Sequence, residues 1–180
     1  MPEETKTTPH GENYTVLTAP DSAEIDTSTF DSHGKLDGDH EYFTLYVSCE
    51  DLRVTPLPLD SNPRLPDSYT NADKDVVTAM RRTLANQPGD FVKFNNGITL
   101  VCKSVSVNGS TAKLEFGEEE GVLNGGHTYF AIQSMNKAID DSAMVRLEAI
   151  QLNPEIAADS EKKSKEILNI ARHRNKNRSL

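Results

Sequence analysis

The chain carries 28 Asp and Glu against 19 Lys and Arg in 180 residues, a formal charge of −9 at pH 7, with 36% hydrophobic residues and no Trp. That length suits one domain with a real core, and the negative balance argues against the whole chain as a nonspecific nucleic-acid binder. No apolar run reaches membrane-spanning length and no signal-peptide core follows Met1, so no membrane partner is expected and a cytoplasmic compartment is the reading.

Residues 1–40 read as an acidic, partly disordered N-terminal segment, and residues 41–180 as the folded domain. Within the first, residues 1–12 are polar and turn-rich and read as a tail, while Tyr14–Thr18 suits a short strand. Acids, Ser/Thr and Gly then alternate over residues 20–40 without a sustained period, which predicts a loop. His33, Asp37, Asp39 and His40 fall in or beside it, but counting from Asp31 puts Tyr42 where an EF-hand loop needs its bidentate Glu. A solvated acidic loop is the better reading, and no metal site is expected.

Tyr42–Cys49 is rich in aromatic and β-favouring residues and predicts a strand. Cys49 and Cys102 each lie in apolar runs without a close partner, as buried thiols do. Pro56, Pro58, Pro63 and Pro66 punctuate the next connection and hold Arg64 on a stiff loop, where an ordinary exposed arginine is the simplest account. A helix follows from about Asp73, with Val76, Val77, Met80 and Leu84 on one stripe and Asn71 or Asp73 as cap. Arg81 and Arg82 are expected on its solvated face, and Gln87–Asp90 ends it.

Phe91–Cys102 reads as two strand-like halves split by Asn95-Asn96-Gly97, a turn that tolerates positive φ and suits a hairpin or bulge. The two adjacent amides also offer several donors and acceptors. Val105–Phe116 is a second hairpin about Asn108-Gly109, and Glu118–Glu120 reads as a solvated turn.

Gly121–Ile132 is the stretch most suited to chemistry. A short apolar run meets Asn124-Gly125-Gly126, and Ala131, Ile132, Met135, Ala138 and Ile139 then recur at helical spacing. A strand, a Gly-Gly turn and a helix N-terminus in that order present unpaired N–H groups to an anion, with His127 and Thr128 in the first turn. Two other readings stay open: Asn124-Gly125 as a hairpin turn, or a tight strand-to-helix turn without a ligand. Met144–Leu152 then alternates as a strand, Pro154 breaks it, and residues 159–174 make an amphipathic helix with Ile167, Leu168, Ile170 and Ala171 on its apolar side. The order of elements is α+β: a mixed sheet with helices packed mainly on one side.

Three segments together resemble one family. Asp60–Arg64, Phe94–Thr99 and Val122–Thr128 stand in the order and spacing of the abortive phage infection (AIPR) family, and Ile167–Asn177 resembles its next block. The likeness spans roughly residues 42–177, although that family usually has Gln or a similar residue where His127 stands. A remoter similarity points to the ParB/sulfiredoxin-like fold, in which a comparable turn binds nucleotide phosphates. Carried over by position, the resemblance implies a phosphate turn of Asn124, Gly125, Gly126, His127 and Thr128, faced by Arg64, with Asn95, Asn96 and Gly97 beside it. It implies a nucleoside triphosphate with Mg²⁺ as cofactor, and the family block at the C-terminus implies a longer parent protein, so that this chain is a shortened or excised piece. Where the ParB-type turn supplies arginines this one has His127 and Thr128, so less positive charge meets the phosphates.

Three functions compete at this point. One is an anti-phage protein that binds a nucleotide or nucleic-acid phosphate, with the basic stretch Lys162–Arg178 as a further nucleic-acid contact. The second is a nuclease or NTPase using the same cleft, for which no catalytic residue can be named from the sequence. The third is a non-catalytic protein-interaction domain whose acidic N-terminal third docks a basic partner.

Overall fold

A computed structural model describes residues 3–7, 13–17, 22–35, 40–59 and 66–176. Arg64, Asp37, Asp39 and the end of the basic stretch beyond Lys176 lie outside the described residues. Glu3–Thr7 (β1) and Asn13–Leu17 (β2) pair as a separate antiparallel ribbon. The strand expected near Tyr14 is therefore present, while part of the expected tail is its partner.

Ser22–Lys35 (β3), expected as a loop, is a 14-residue strand. Its first five residues pair with Thr111–Glu115 (β7), and from Thr27 onward it pairs with Glu41–Ser48 (β4). Register shifts at Thr27/Thr29 and Phe30/Ser32 interrupt the two-residue period. A strand that changes partner and slips register has no single alternation to read, which is why its sequence resembles coil.

The remaining strands are Ile98–Cys102 (β5), Ser104–Asn108 (β6), Gly121–Asn124 (β8) and Met144–Gln151 (β9). The order across the seven-stranded sheet is β6-β7-β3-β4-β9-β5-β8, with β5 parallel to β9 and the other pairs antiparallel. The chain is thus α+β with a mixed sheet. Cys102 passes almost directly into β6 at the far edge, so the sheet curls: Lys103 N donates to Glu115 O at 2.7 Å and Val105 N to the Gln151 side chain at 2.9 Å.

Helices cover both faces unequally. Cys49–Arg53 (α1), Asn71–Asn86 (α2), Phe91–Phe94 (α3) and Gly126–Gln133 (α4) pack over the larger core, built from Leu45, Val47, Leu100, Leu147 and their neighbours. Pro154–Ala157 (α5) leads into Ser160–Lys176 (α6), whose Ile167 and Ala171 close on Val101, Leu123, Ile150 and Leu152 of the other face. With helices on both sides, β5 is buried at all five positions. Each such branched aliphatic side chain contributes about 1.5–3 kcal/mol on burial.

Several local expectations are corrected. Phe91–Phe94 is a helical turn rather than a strand, because Pro88 opens a 3₁₀ turn over Pro88–Asp90 that runs straight into it. The expected helix to Ile139 stops at Gln133, where the Ser134 hydroxyl donates to Phe130 O at 2.6 Å and competes for the carbonyls the next turn would use. Ile139 is still buried, tethered by its N–H to Glu50 Oε2 at 2.8 Å. Arg81 is not a solvated side chain: it donates to Ser134 Oγ through Nε and Nη2 and its guanidinium lies 5.5 Å from the Phe130 ring centroid. The acidic turn is not wholly solvated either, since Glu120 is buried, accepts from Gly117 N at 2.6 Å and faces Lys163 Nζ at 3.6 Å. His40, set aside as a metal ligand, is a buried clamp whose Nδ1 accepts from Asn153 N at 2.9 Å and whose Nε2 reaches Glu166 at 2.9 Å.

Candidate functional site

The sheet order brings two separated motifs together. β5 and β8 are antiparallel neighbours, with Thr99 opposite Asn124. The residues entering β5 therefore lie beside those leaving β8. Asn95 Nδ2 donates to Thr128 Oγ1 at 3.0 Å, Thr128 Oγ1 lies 3.2 Å from Asn95 Oδ1, and that same oxygen accepts from Gly97 N at 2.8 Å.

Asn124-Gly125 is a strand-to-helix turn and not a hairpin. Gly125 sits at φ 86°, in the left-handed region, as the N-cap of α4. A Cβ there would stand 2.5 Å from Gly97 O and 2.9 Å from Ile98 Cα. Gly97, at φ 83°, is packed as closely, with a Cβ falling 2.5 Å from Arg146 O. Two glycine turns and the backbone of β9 thus stack in direct contact, a closeness no side chain permits. Asn124 Oδ1 accepts from Gly125 N at 2.9 Å, and the first intrahelical bond of α4 is Tyr129 N to Gly125 O at 3.0 Å.

His127 points away from Thr128, toward α2. Its Nε2 lies 2.8 Å from Asp73 Oδ1, and its ring stacks on Tyr69 at 4.6 Å between centroids. Asp73 is also half of a capping box, in which the Thr70 backbone N–H and hydroxyl each donate to Asp73 Oδ2 at 2.8 Å and Asp73 N donates to Thr70 Oγ1 at 3.2 Å. The Thr70 backbone N–H above all, then the Thr70 hydroxyl and His127, hold the Asp73 carboxyl down to about 2 against burial. The carboxylate fixes the imidazole through Nε2, and Nδ1 has no hydrogen-bond partner among the described residues.

Asn96 is exposed, and its carbonyl accepts from Arg146 Nη2 at 3.2 Å. Behind α4, Tyr129 anchors the proline-rich connection: its hydroxyl accepts from Leu57 N at 2.8 Å and Gln133 Nε2 at 2.5 Å and donates to Thr55 O at 3.0 Å. Burial pushes that phenol well above its usual range. Pro58 O in turn accepts from Val122 N at 2.8 Å. The connection is thus fixed to the start of β8 ahead of the stretch that holds Arg64, and Tyr69 fixes it again at His127.

Of the residues expected from sequence, Asn95, Gly97, Asn124, Gly125, Gly126 and Thr128 come together, the His127 side chain turns away onto Asp73 and Tyr69, Asn96 is exposed beside them, and Arg64 is outside the described residues. Sequence reading passed over Tyr69 and Arg146 and took Asp73 or Asn71 only as a helix cap, whereas the N-cap is Thr70 and Asp73 is the third residue of its capping box. The spacing Thr70-x-x-Asp73 was a legible capping signal, but nothing local shows that the same carboxylate reaches His127, 54 positions on.

The turn offers main-chain nitrogens, amides and a hydroxyl, while the nearest carboxylate, Asp73, is turned onto His127. Among the described residues no group of three His, Cys, Asp or Glu converges as a metal-binding set. No helix of the described residues is long and apolar enough to cross a membrane. A family model described as AIPR protein matches residues 59–179. No curated protein and no solved structure matches the chain.

Proposed function

Because the chain belongs to the AIPR family, a family of the abortive-infection, anti-phage type, we propose that this domain binds the phosphates of a nucleotide at the turn Asn124–Thr128. The observation that carries the reading is the meeting of Asn95 and Thr128 across 33 positions, which joins the two family motifs into one polar rim at a helix N-terminus. In this reading the N–H groups of Gly126, His127 and Thr128 cradle a phosphate, Asn95 and Gly97 hold the Thr128 side of the rim, and Asn96 meets base or sugar. Arg64 supplies the neutralising charge that the resemblance assigns to it. A nucleoside triphosphate brings Mg²⁺ on its own oxygens, and the remoter ParB/sulfiredoxin-like likeness motivates that choice of ligand. Isothermal titration with a panel of nucleoside triphosphates and Mg²⁺ tests it; saturable heat with at least one of them is expected, and none with any would sink it.

One observation favours a second reading, a nuclease or NTPase in the same place. The pair Asp73–His127 has the form of an oriented base, a carboxylate fixing one imidazole nitrogen and leaving the other open. Here Nδ1 would take a proton from the attacking water as it bonds to phosphorus, and return it to the departing oxygen. Phosphate release from nucleoside triphosphates, or nicking of plasmid DNA, abolished by His127→Ala would select this reading over simple binding.

A further inference from the structure

Asn-Gly occurs three times in the chain, as Asn96-Gly97, Asn108-Gly109 and Asn124-Gly125. The three dipeptides are chemically equivalent, but the fold sets one apart. Gly109 and Ser110 form the two-residue turn between β6 and β7, closed by the facing pair Asn108 and Thr111. Asn108, Gly109 and Ser110 are all exposed. Gly109 stands at φ 60°, and a Cβ added there would meet nothing within 4 Å. Its N–H has no acceptor among the described residues. At the other two sites hydrogen bonds and packing together hold the peptide. Gly97 N donates to Asn95 Oδ1 at 2.8 Å, while the carbonyl of that same peptide, Asn96 O, accepts from Arg146 Nη2 at 3.2 Å. Gly125 N donates to Asn124 Oδ1 at 2.9 Å. A Cβ on either glycine would fall 2.5 Å from a backbone oxygen.

From this contrast we infer that Asn108 is a site of spontaneous covalent modification, deamidation to aspartate and isoaspartate, and that the fold protects Asn96 and Asn124. The Gly109 main-chain nitrogen loses its proton to solvent and bonds to Asn108 Cγ. The Cγ–Nδ2 bond then breaks, and that nitrogen takes a proton from solvent and leaves as ammonia. Water adds to a carbonyl of the resulting succinimide ring and opens it. One opening restores the peptide with aspartate at position 108; the other reroutes the chain through the side chain as isoaspartate. Glycine admits the attack because no Cβ crowds its nitrogen. The ring closes only if the peptide between the two residues turns. The hairpin tip allows that rotation, whereas the two tethered turns must first open locally. β6 is an outer strand of the sheet, so the new carboxylate and, in isoaspartate, the extra backbone methylene fall at a sheet edge.

Peptide mapping by mass spectrometry tests the inference, on the folded chain and on the chain unfolded in guanidinium chloride, both held for days in mildly alkaline buffer. In the folded chain the amide-to-acid mass increase is expected in the peptide that holds Asn108, with its aspartyl and isoaspartyl forms separating by chromatography. Asn96 and Asn124 should convert at least about tenfold more slowly there, because each waits on a local opening. In guanidinium chloride the three sites should convert at similar rates, since no tether survives. Asn108→Ser should remove the change from its own peptide and leave the other two as they are in the parent, and a thermal melt checks that this variant folds. Equal conversion at the three sites in the folded chain, or an Asn108 that converts only in guanidinium chloride, would overturn the inference. No conversion at Asn108 in either state would do the same.

Discussion

Replacing Gly125 by Ala isolates the close approach on which the candidate site is built. Two costs combine. The residue sits at φ 86°, where an L side chain costs about 1–2 kcal/mol. Its new Cβ would also lie 2.5 Å from Gly97 O and 2.9 Å from Ile98 Cα, both backbone atoms that cannot swing aside. Overpacking of that kind costs typically about 1–3 kcal/mol. Gly109→Ala serves as the control, because Gly109 has φ 60° and a Cβ added there would meet nothing within 4 Å; it carries the first cost without the second. Gly125→Ala is therefore expected to be the more destabilising by about 1–3 kcal/mol, which at this chain length is a melting temperature lower by roughly 2–12 °C than that of Gly109→Ala. Urea denaturation and calorimetry of the two variants measure the difference directly. Equal losses would mean that the two glycine turns do not touch, and the convergence of the Asn95 and Thr128 motifs would fall with them.

Tyr129→Phe removes the acceptor for the buried Leu57 N–H and is expected to cost about 1–3 kcal/mol, with faster hydrogen exchange at that amide; an unchanged exchange rate would show the hydroxyl to be dispensable. Asp73 is held at about 2, below its ordinary value of 3.8, so its contribution is present above about pH 4 and is lost as pH falls from there toward 2. Urea midpoints across that window should drop less steeply in Asp73→Asn than in the parent, and parallel curves would refute the assignment. Arg81→Ala deletes the contacts of α2 with Ser134 and the Phe130 ring and should cost about 1–2 kcal/mol, whereas Arg82→Ala, on the exposed side, should stay within about 0.5 kcal/mol; equal effects would restore the solvated reading of both.

Local pattern carried far in this chain where structure depends on near neighbours. The strand read at Tyr42–Cys49 and found at Glu41–Ser48, the hairpin about Asn108-Gly109 and the long C-terminal helix each show period and punctuation that do not depend on what packs against them. At Asn124–Thr128 the residues allowed the positive φ found at Gly125 but left a hairpin open beside the strand-to-helix turn that the fold adopts. Local pattern failed where a distant partner sets the outcome. β3 exchanges β7 for β4 midway, Ser134 ends α4 early through its own hydroxyl, and Glu120 is buried against α6.

Residue order alone therefore determined the α+β class, the family motifs and the chemical types at the candidate site, because these are properties of short segments. Tertiary structure decided which of those segments share a place. Only the antiparallel pairing of β5 with β8 sets Asn95 on Thr128, and only the packing of α2 on α4 aims Asp73 at His127. Side-chain contacts at such separations arise when the hydrophobic faces of distant elements are buried together, and no spacing along the chain encodes them.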